Sequence, residues 1–164
     1  MSGSLKIYRA GNIGRDKIRN GISFYGISKY GIKSYTSKSN PKFYDLELTS
    51  DEVIKIVDLS IPENSEIVVD YLKTLSNKGQ NKNNHNLLRY SLFFGKNNIN
   101  NVKKNNIVIR HSNDVDDDIK MAKILRTLFK DAIGTYTPPG PGLSHGEIII
   151  WDEEINKRLM GVTH

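Results

Sequence analysis

Hydrophobic and polar positions alternate cleanly in two segments of the chain. LKIYR (Leu5 to Arg9) and KFYDLEL (Lys42 to Leu48) both read as half-buried strands. ISFYG (Ile22 to Gly26) is a second short strand in chain order, after the Gly-containing loop AGNIGRDKIRNG. SKYGIKSY (Ser28 to Tyr35) opens on a plausible N-cap serine and reads as a short helix weakened by Gly31. Thr49 and Glu52 form a T-x-x-E capping box ahead of VIKIV, a run short enough to be helix or strand.

A second such box, Ser60 and Glu63 with Pro62 in the first turn, predicts a helix. Its apolar face is Ile67, Val68, Tyr71, Leu72 and Leu75, and Gly79 closes it. NNIVIR, ending at Arg110, reads as a strand. SNDVDDDIKMAKILRTLFKDAIG is the strongest helix pattern: Val115, Ile119, Ala122, Leu125, Leu128 and Phe129 mark its buried face and Gly134 stops it. TYTPPGPGL reads as a stiff non-helical loop. EIIIW (Glu147 to Trp151) is apolar at successive positions, so it predicts a central strand covered on both faces. EEINKRLM supplies a final helical turn or two. The element pattern is mixed α+β.

The 164 residues suit one domain, 1–164, with a core of its own. Asn-rich stretches at 77–86 and 96–106 read as surface loops. Cysteine is absent, which excludes thiol catalysis, Cys-zinc sites, iron–sulfur clusters and disulfide scaffolds. Neither a signal peptide nor an apolar run of roughly 18 residues is readable, so the expectation is a soluble protein without membrane contact, cytoplasmic or delivered into a host cell. Twenty-four basic residues against 18 acidic ones give a net charge of +6, which favours anionic partners. The Lys are dispersed among Asn and Ile, as an AT-rich coding sequence also produces.

Few segments offer chemistry. Arg9 ends an apolar strand beside a glycine loop, where its rigid fork of donors suits phosphate or carboxylate; locally it also reads as an ordinary ion-paired surface arginine. GISFYGISKYGIKSY brings Ser23, Phe24, Tyr25, Tyr30 and Tyr35 close together, as ring-stacking groups or as core. Glu147 opens an apolar strand directly after a Pro/Gly loop. Asp114, Asp116, Asp117 and Asp118 fit the first turn of a helix better than a metal cluster. His85, His111, His145 and His164 are scattered, and no Walker A, dinucleotide glycine fingerprint or zinc spacing occurs.

Taken in order, three segments resemble the ADP-ribosyltransferase superfamily of bacterial toxins, phage enzymes and poly(ADP-ribose) polymerases. IYRAG is similar to the first motif, with Arg9 in the Arg/His place. GISFYGISKYGIKSY is similar to the polymerases' second segment, with Ser23 or Phe24 at the motif position and Tyr35 near the ring-stacking tyrosine. GEIIIWDEEI is similar to the glutamate strand, with Glu147 as catalytic glutamate. Departures are Ala10 where many relatives have Gly, a lone Ser23 in place of an S-T-S triplet, and His145 two positions before Glu147, where many toxins carry Gln or Glu.

The resemblance implies a single-domain split mixed β-sheet with flanking helices and an NAD-dependent, toxin-like mono-ADP-ribosyltransferase. NAD would be the co-substrate, no metal would be needed, and the acceptor would be a macromolecule, protein or nucleic acid. Glu147, Arg9 and Ser23 would be catalytic. Arg9, Ala10, Gly11, Phe24 and Tyr35 would hold NAD, and His145 would meet the acceptor. It also implies that Arg9 and Glu147 stand on neighbouring central strands, facing one cleft with Tyr35 on its wall. An NAD glycohydrolase or an RNA 2′-phosphotransferase would share the fold. A non-enzymatic basic domain binding nucleic acid is the alternative of a different class.

Overall fold

The structure is a computed structural model, and it describes residues 3–10, 21–28, 43–77, 115–138 and 146–158. In chain order the elements are β1 (Leu5–Ala10), β2 (Ser23–Gly26), β3 (Phe43–Leu48), α1 (Ser50–Val53), β4 (Ile56–Asp58), α2 (Pro62–Asn77), α3 (Val115–Leu128), β5 (Gly134–Thr137), β6 (Glu147–Ile150) and α4 (Glu153–Lys157). The fold is mixed α+β. The six strands among the described residues form one sheet in the order β3-β1-β2-β6-β5-β4, with β4 and β5 parallel and the other pairs antiparallel. The sheet is continuous, not split: all four residues of β2 pair with β6, which ties the two halves together.

Each face of the sheet has its own core. Ile7, Tyr25, Ile148 and Ile150 lie on one face with Leu46, Leu48, Val53 of α1 and Ile155 of α4. Ile149 and Trp151 lie on the other with Leu59, Val68 of α2, and Met121, Ala122 and Leu125 of α3. The unbroken apolar run of β6 follows from this, because a strand fourth in a six-strand order is covered on both sides.

The T-x-x-E box forms as its residues predict. Thr49 Oγ1 accepts from the Glu52 N–H, and Glu52 Oε1 accepts from the Thr49 N–H. The helix lasts one turn, and the same apolar run then becomes β4. The Ser60 box does not form. Ser60 Oγ donates to Asp58 Oδ1 at 2.5 Å, and so does its N–H at 2.9 Å, so the side chain is engaged in an Asx-type turn instead of capping α2. The buried face of α2 is also displaced. Val68 and Ser65 are wholly buried, whereas Ile67 and Tyr71 are exposed at 47% and 37%. The hydroxyl of Ser65 is accommodated because it donates to the Pro62 carbonyl. In α3 the buried positions Ile119, Ala122 and Leu125 match the predicted stripe.

Gly134 does not end α3. The helix stops at Leu128, the chain turns with Ala132 N–H donating to Phe129 O, and Gly134 opens β5. Thr135 to Thr137, expected as loop, are that strand. The Ser28–Tyr35 helix beyond Ser28, the NNIVIR strand, Asp114 and the loops at 78–86 and 96–106 lie outside the described residues; Asp116, Asp117 and Asp118 fall in the first turn of α3 as expected, and Asn77, expected to open the loop at 77–86, is the last residue of α2.

Among the described residues, Thr135 Oγ1 is the buried side-chain polar atom without a hydrogen-bond partner. It sits between Val57 and Ile149 on the helix-covered face, fully enclosed. An unsatisfied buried hydroxyl costs on the order of 1–3 kcal/mol. Thr135→Val keeps the β-branched shape and removes the orphan oxygen. It should therefore raise stability by about 1 kcal/mol, or roughly 2–4 °C in Tm for a domain of this size. A thermal melt of the variant that is lower than the parent's would show that the hydroxyl is satisfied in solution.

Candidate active site

The three resembling segments fall on adjacent strands. β1 carries Arg9, β2 carries Ser23 and Phe24, and β6 carries Glu147, in the spatial order β1-β2-β6. Arg9 Nη1 donates to Ser23 Oγ at 2.5 Å. Ser23 is fully buried and Arg9 partly so. The strand pairing sets this contact. Tyr8 lies opposite Gly26, so Arg9 comes level with Tyr25, and the long guanidinium stem reaches along the sheet to the next same-face position of β2.

Two positions along β2 on the same face, Tyr25 carries a second set of hydrogen bonds that leads into the core. Tyr25 OH donates to Asn156 Oδ1 at 2.8 Å. Asn156 Nδ2 donates to the carbonyls of Gly21 at 2.8 Å and Ile150 at 3.0 Å. Burial pushes the Tyr25 phenol above its ordinary value, while the nearby Ser23 hydroxyl and the positive charges of Arg9 and Arg158 pull it down; the net shift is upward. Tyr25 therefore stays a neutral hydroxyl donor at physiological pH. Serine, tyrosine and arginine at these positions were visible in the sequence. Asn156, in the segment EEINKRLM, gave no signal, because its role depends on α4 folding back beneath β2 and β6.

Glu147 does not join this group. β2 intervenes between β1 and β6, so two strand spacings, about 10 Å, separate their backbones. Pairing also decides the face. Glu147 is level with Gly26, and Gly26 with Tyr8. Side chains alternate along a strand, so Glu147 shares a face with Tyr8, Phe24 and Ala10, whereas Arg9, Ser23 and Tyr25 occupy the opposite one. The expectation that Arg9 and Glu147 stand on neighbouring strands and face one cleft is thus corrected: the sheet lies between them. At the Glu147 level, Gly26 adds no side chain to that separation. Gly11, Tyr35 and His145 lie outside the described residues.

An open cavity of about 340 Å³ lies elsewhere, lined by Glu52, Lys55, Ile133, Asp152, Glu154, Ile155 and Arg158. There Arg158 bonds Glu52, which also closes the α1 capping box. Burial opposes ionisation of Glu52, but the Thr49 N–H and the Arg158 guanidinium outweigh it and hold the carboxyl below its ordinary value. No cluster of His, Cys, Asp or Glu among the described residues is arranged to hold a metal ion. Nor is any described helix long and apolar enough to cross a membrane.

Comparison with protein-family models, with curated proteins and with solved structures finds no match to this chain.

Proposed function

We propose that the chain is an NAD-dependent mono-ADP-ribosyltransferase. The observation that carries this reading is the strand order: the Arg9, Ser23 and Glu147 segments, drawn from both ends of the chain, lie side by side as β1, β2 and β6. The bond between Arg9 and Ser23 supports it further. In this reading Arg9 supplies the cation that a pyrophosphate needs. Ser23 holds the guanidinium. Glu147 stabilises the positive charge that develops on the ribose as the bond to nicotinamide breaks. The released ADP-ribosyl group passes to a nucleophile on a protein or nucleic acid.

Phe24 shares the Glu147 face and is the described aromatic closest in register to it. Tyr35 and His145 keep their proposed roles against nicotinamide and acceptor.

The opposite facing of Arg9 and Glu147 favours a second reading of a different class. Glu147 would then be structural, and Arg9 would serve a basic domain that binds nucleic acid without catalysis.

Incubation with NAD separates the two. Release of free nicotinamide supports the transferase reading, and label retained on a macromolecule in lysate distinguishes transfer from hydrolysis by water. Absence of nicotinamide release, together with salt-sensitive binding to DNA or RNA, would establish the second reading in its place. Arg9→Ala should weaken NAD binding by about ten- to hundredfold, the value of a charge-assisted contact worth roughly 1.5–3 kcal/mol. Arg9→Lys should restore little of it, because the planar fork is lost. Calorimetric titration checks both, and unchanged affinity would assign Arg9 to the fold alone.

A further inference from the structure

One rung beyond the paired ends of β4, β5 and β6, three backbone segments still lie side by side. The Ile133 N–H donates to the Lys55 carbonyl, and the Trp151 N–H donates to the Ile133 carbonyl. Ile133 therefore stands between Lys55 and Trp151, which are two strand spacings, about 10 Å, apart. Asp152 follows Trp151 and caps α4, its Oδ1 accepting from the Ile155 N–H at 3.1 Å. The open cavity of about 340 Å³ described above is built on this rung. Ile133 and Ile155, exposed at only 8% and 5%, are its apolar lining. Its volume falls within the range of small-molecule sites.

The charges around the cavity do not all compensate one another. Arg158 is taken by Glu52, and at the rim Lys157 donates to Glu154 at 3.1 Å. Two lining groups of opposite sign are left. Lys55 Nζ has no hydrogen bond or ion pair among the described residues. Asp152 uses one carboxylate oxygen as the α4 cap and has no cationic partner among the described residues. The two do not pair with each other, because Ile133 holds their segments apart. A cation and a carboxylate fixed on either side of an apolar lining match a ligand that carries both charges and a hydrocarbon tail. We propose that this cavity binds a small zwitterion of the α-amino acid type: Lys55 takes its carboxylate, Asp152 takes its ammonium, and its apolar side chain lies against Ile133 and Ile155. Neither Arg9 nor Glu147 lines the cavity, so the site does not depend on the transferase reading.

The experiment is a titration of the full chain, labelled with carbon-13 at the isoleucine methyl groups, with L-leucine at millimolar concentrations. The Ile133 and Ile155 methyl resonances should shift and saturate, while that of Ile119 in α3, on the opposite face of the sheet, stays in place. Two analogues separate the charges. Isocaproate keeps the tail and the carboxylate, and isoamylamine keeps the tail and the ammonium. Each lacks one charge-assisted contact and should bind at least about tenfold more weakly than L-leucine. An analogue that binds as well as L-leucine would overturn the proposal, and so would the absence of any shift at Ile133 and Ile155.

Two variants assign the contacts. Lys55→Gln removes an exposed charge that holds no other group. Asp152→Asn removes the carboxylate charge and keeps the cap, since asparagine serves as an N-cap as well as aspartate does. Both should fold as the parent does, and each should weaken L-leucine binding by about tenfold or more. Lys55→Gln should leave isoamylamine binding unchanged, and Asp152→Asn should leave isocaproate binding unchanged, because those analogues lack the charge that each residue meets. Parent-like affinity for L-leucine in either variant would overturn the proposal, as would an equal loss for all three ligands, which would mean that the substitution acts on the fold of the cavity and not through the charge.

Discussion

Glu147→Gln should lower the rate of nicotinamide release from NAD by about 10²–10³-fold, the usual cost of removing one preorganised electrostatic contact from a transition state. Glutamine keeps the size and most of the hydrogen-bonding capacity of the side chain but carries no negative charge. A charge that stabilises a developing oxocarbenium acts in the transition state and little in the ground state. The loss should therefore appear in kcat, with NAD affinity nearly unchanged. Glu147 opens β6 and is partly exposed, so the substitution should leave the melting temperature close to that of the parent. Arg9→Ala should show the opposite pattern, with affinity lost first. The two variants together decide whether residues on opposite faces of the sheet serve one ligand. Near-equal turnover for Glu147→Gln and the parent would remove Glu147 from the chemistry. The Arg9 group would then be left as an anion-binding element of a non-catalytic domain.

Gly134→Ala should be the most damaging single methyl group in the described part of the chain. A Cβ at this position would stand 2.0 Å from the backbone oxygen of Ile149 and 3.1 Å from the Ile150 side chain. The first obstacle is backbone inside a paired strand, so no rotamer change relieves it. β5 would have to move away from β6 where Gly134 pairs with Ile150. The same residue pairs with Ile56 of β4 on its other side, so the displacement would spread across half of the sheet. Overpacking of this kind costs about 3 kcal/mol or more. For a domain of this size that corresponds to a fall in Tm of roughly 6–12 °C, if the variant folds at all. A melt within about 2 °C of the parent would show that the β5–β6 pairing is looser than these distances require.

Several elements were legible because their cause is local. β1 and β3 alternate polar and apolar residues, so each half-buried strand announces its own face. The α1 capping box is a contact between residues three apart, and it formed at Thr49 and Glu52 as the sequence implied. The run Ile148–Ile149–Ile150 has no polar face, and that alone predicted a strand covered on both sides. The apolar stripe of α3 repeats over enough turns to fix its orientation from periodicity.

The features that local pattern missed depend on partners distant in sequence. β5 was hidden because Gly-Thr-Tyr-Thr next to prolines has the composition of a loop; it becomes a strand through pairing with β4 and β6. Gly134 read as a helix stop, but its missing Cβ is explained by the Ile149 carbonyl across the sheet. Ile67 and Tyr71 fit the apolar side of α2 as well as Val68 does, and only the docking of that helix buried Val68 and left them exposed. At the candidate site, the sequence by itself supplied Arg9, Ser23 and Glu147 as residue types suited to the chemistry. The tertiary structure decided which of them meet. Strand order brought all three segments together, and pairing register, in which each residue alternates face, joined Arg9 to Ser23 and turned Glu147 away. Register is set by long-range hydrogen bonds between strands, and a string of residues carries no direct record of it.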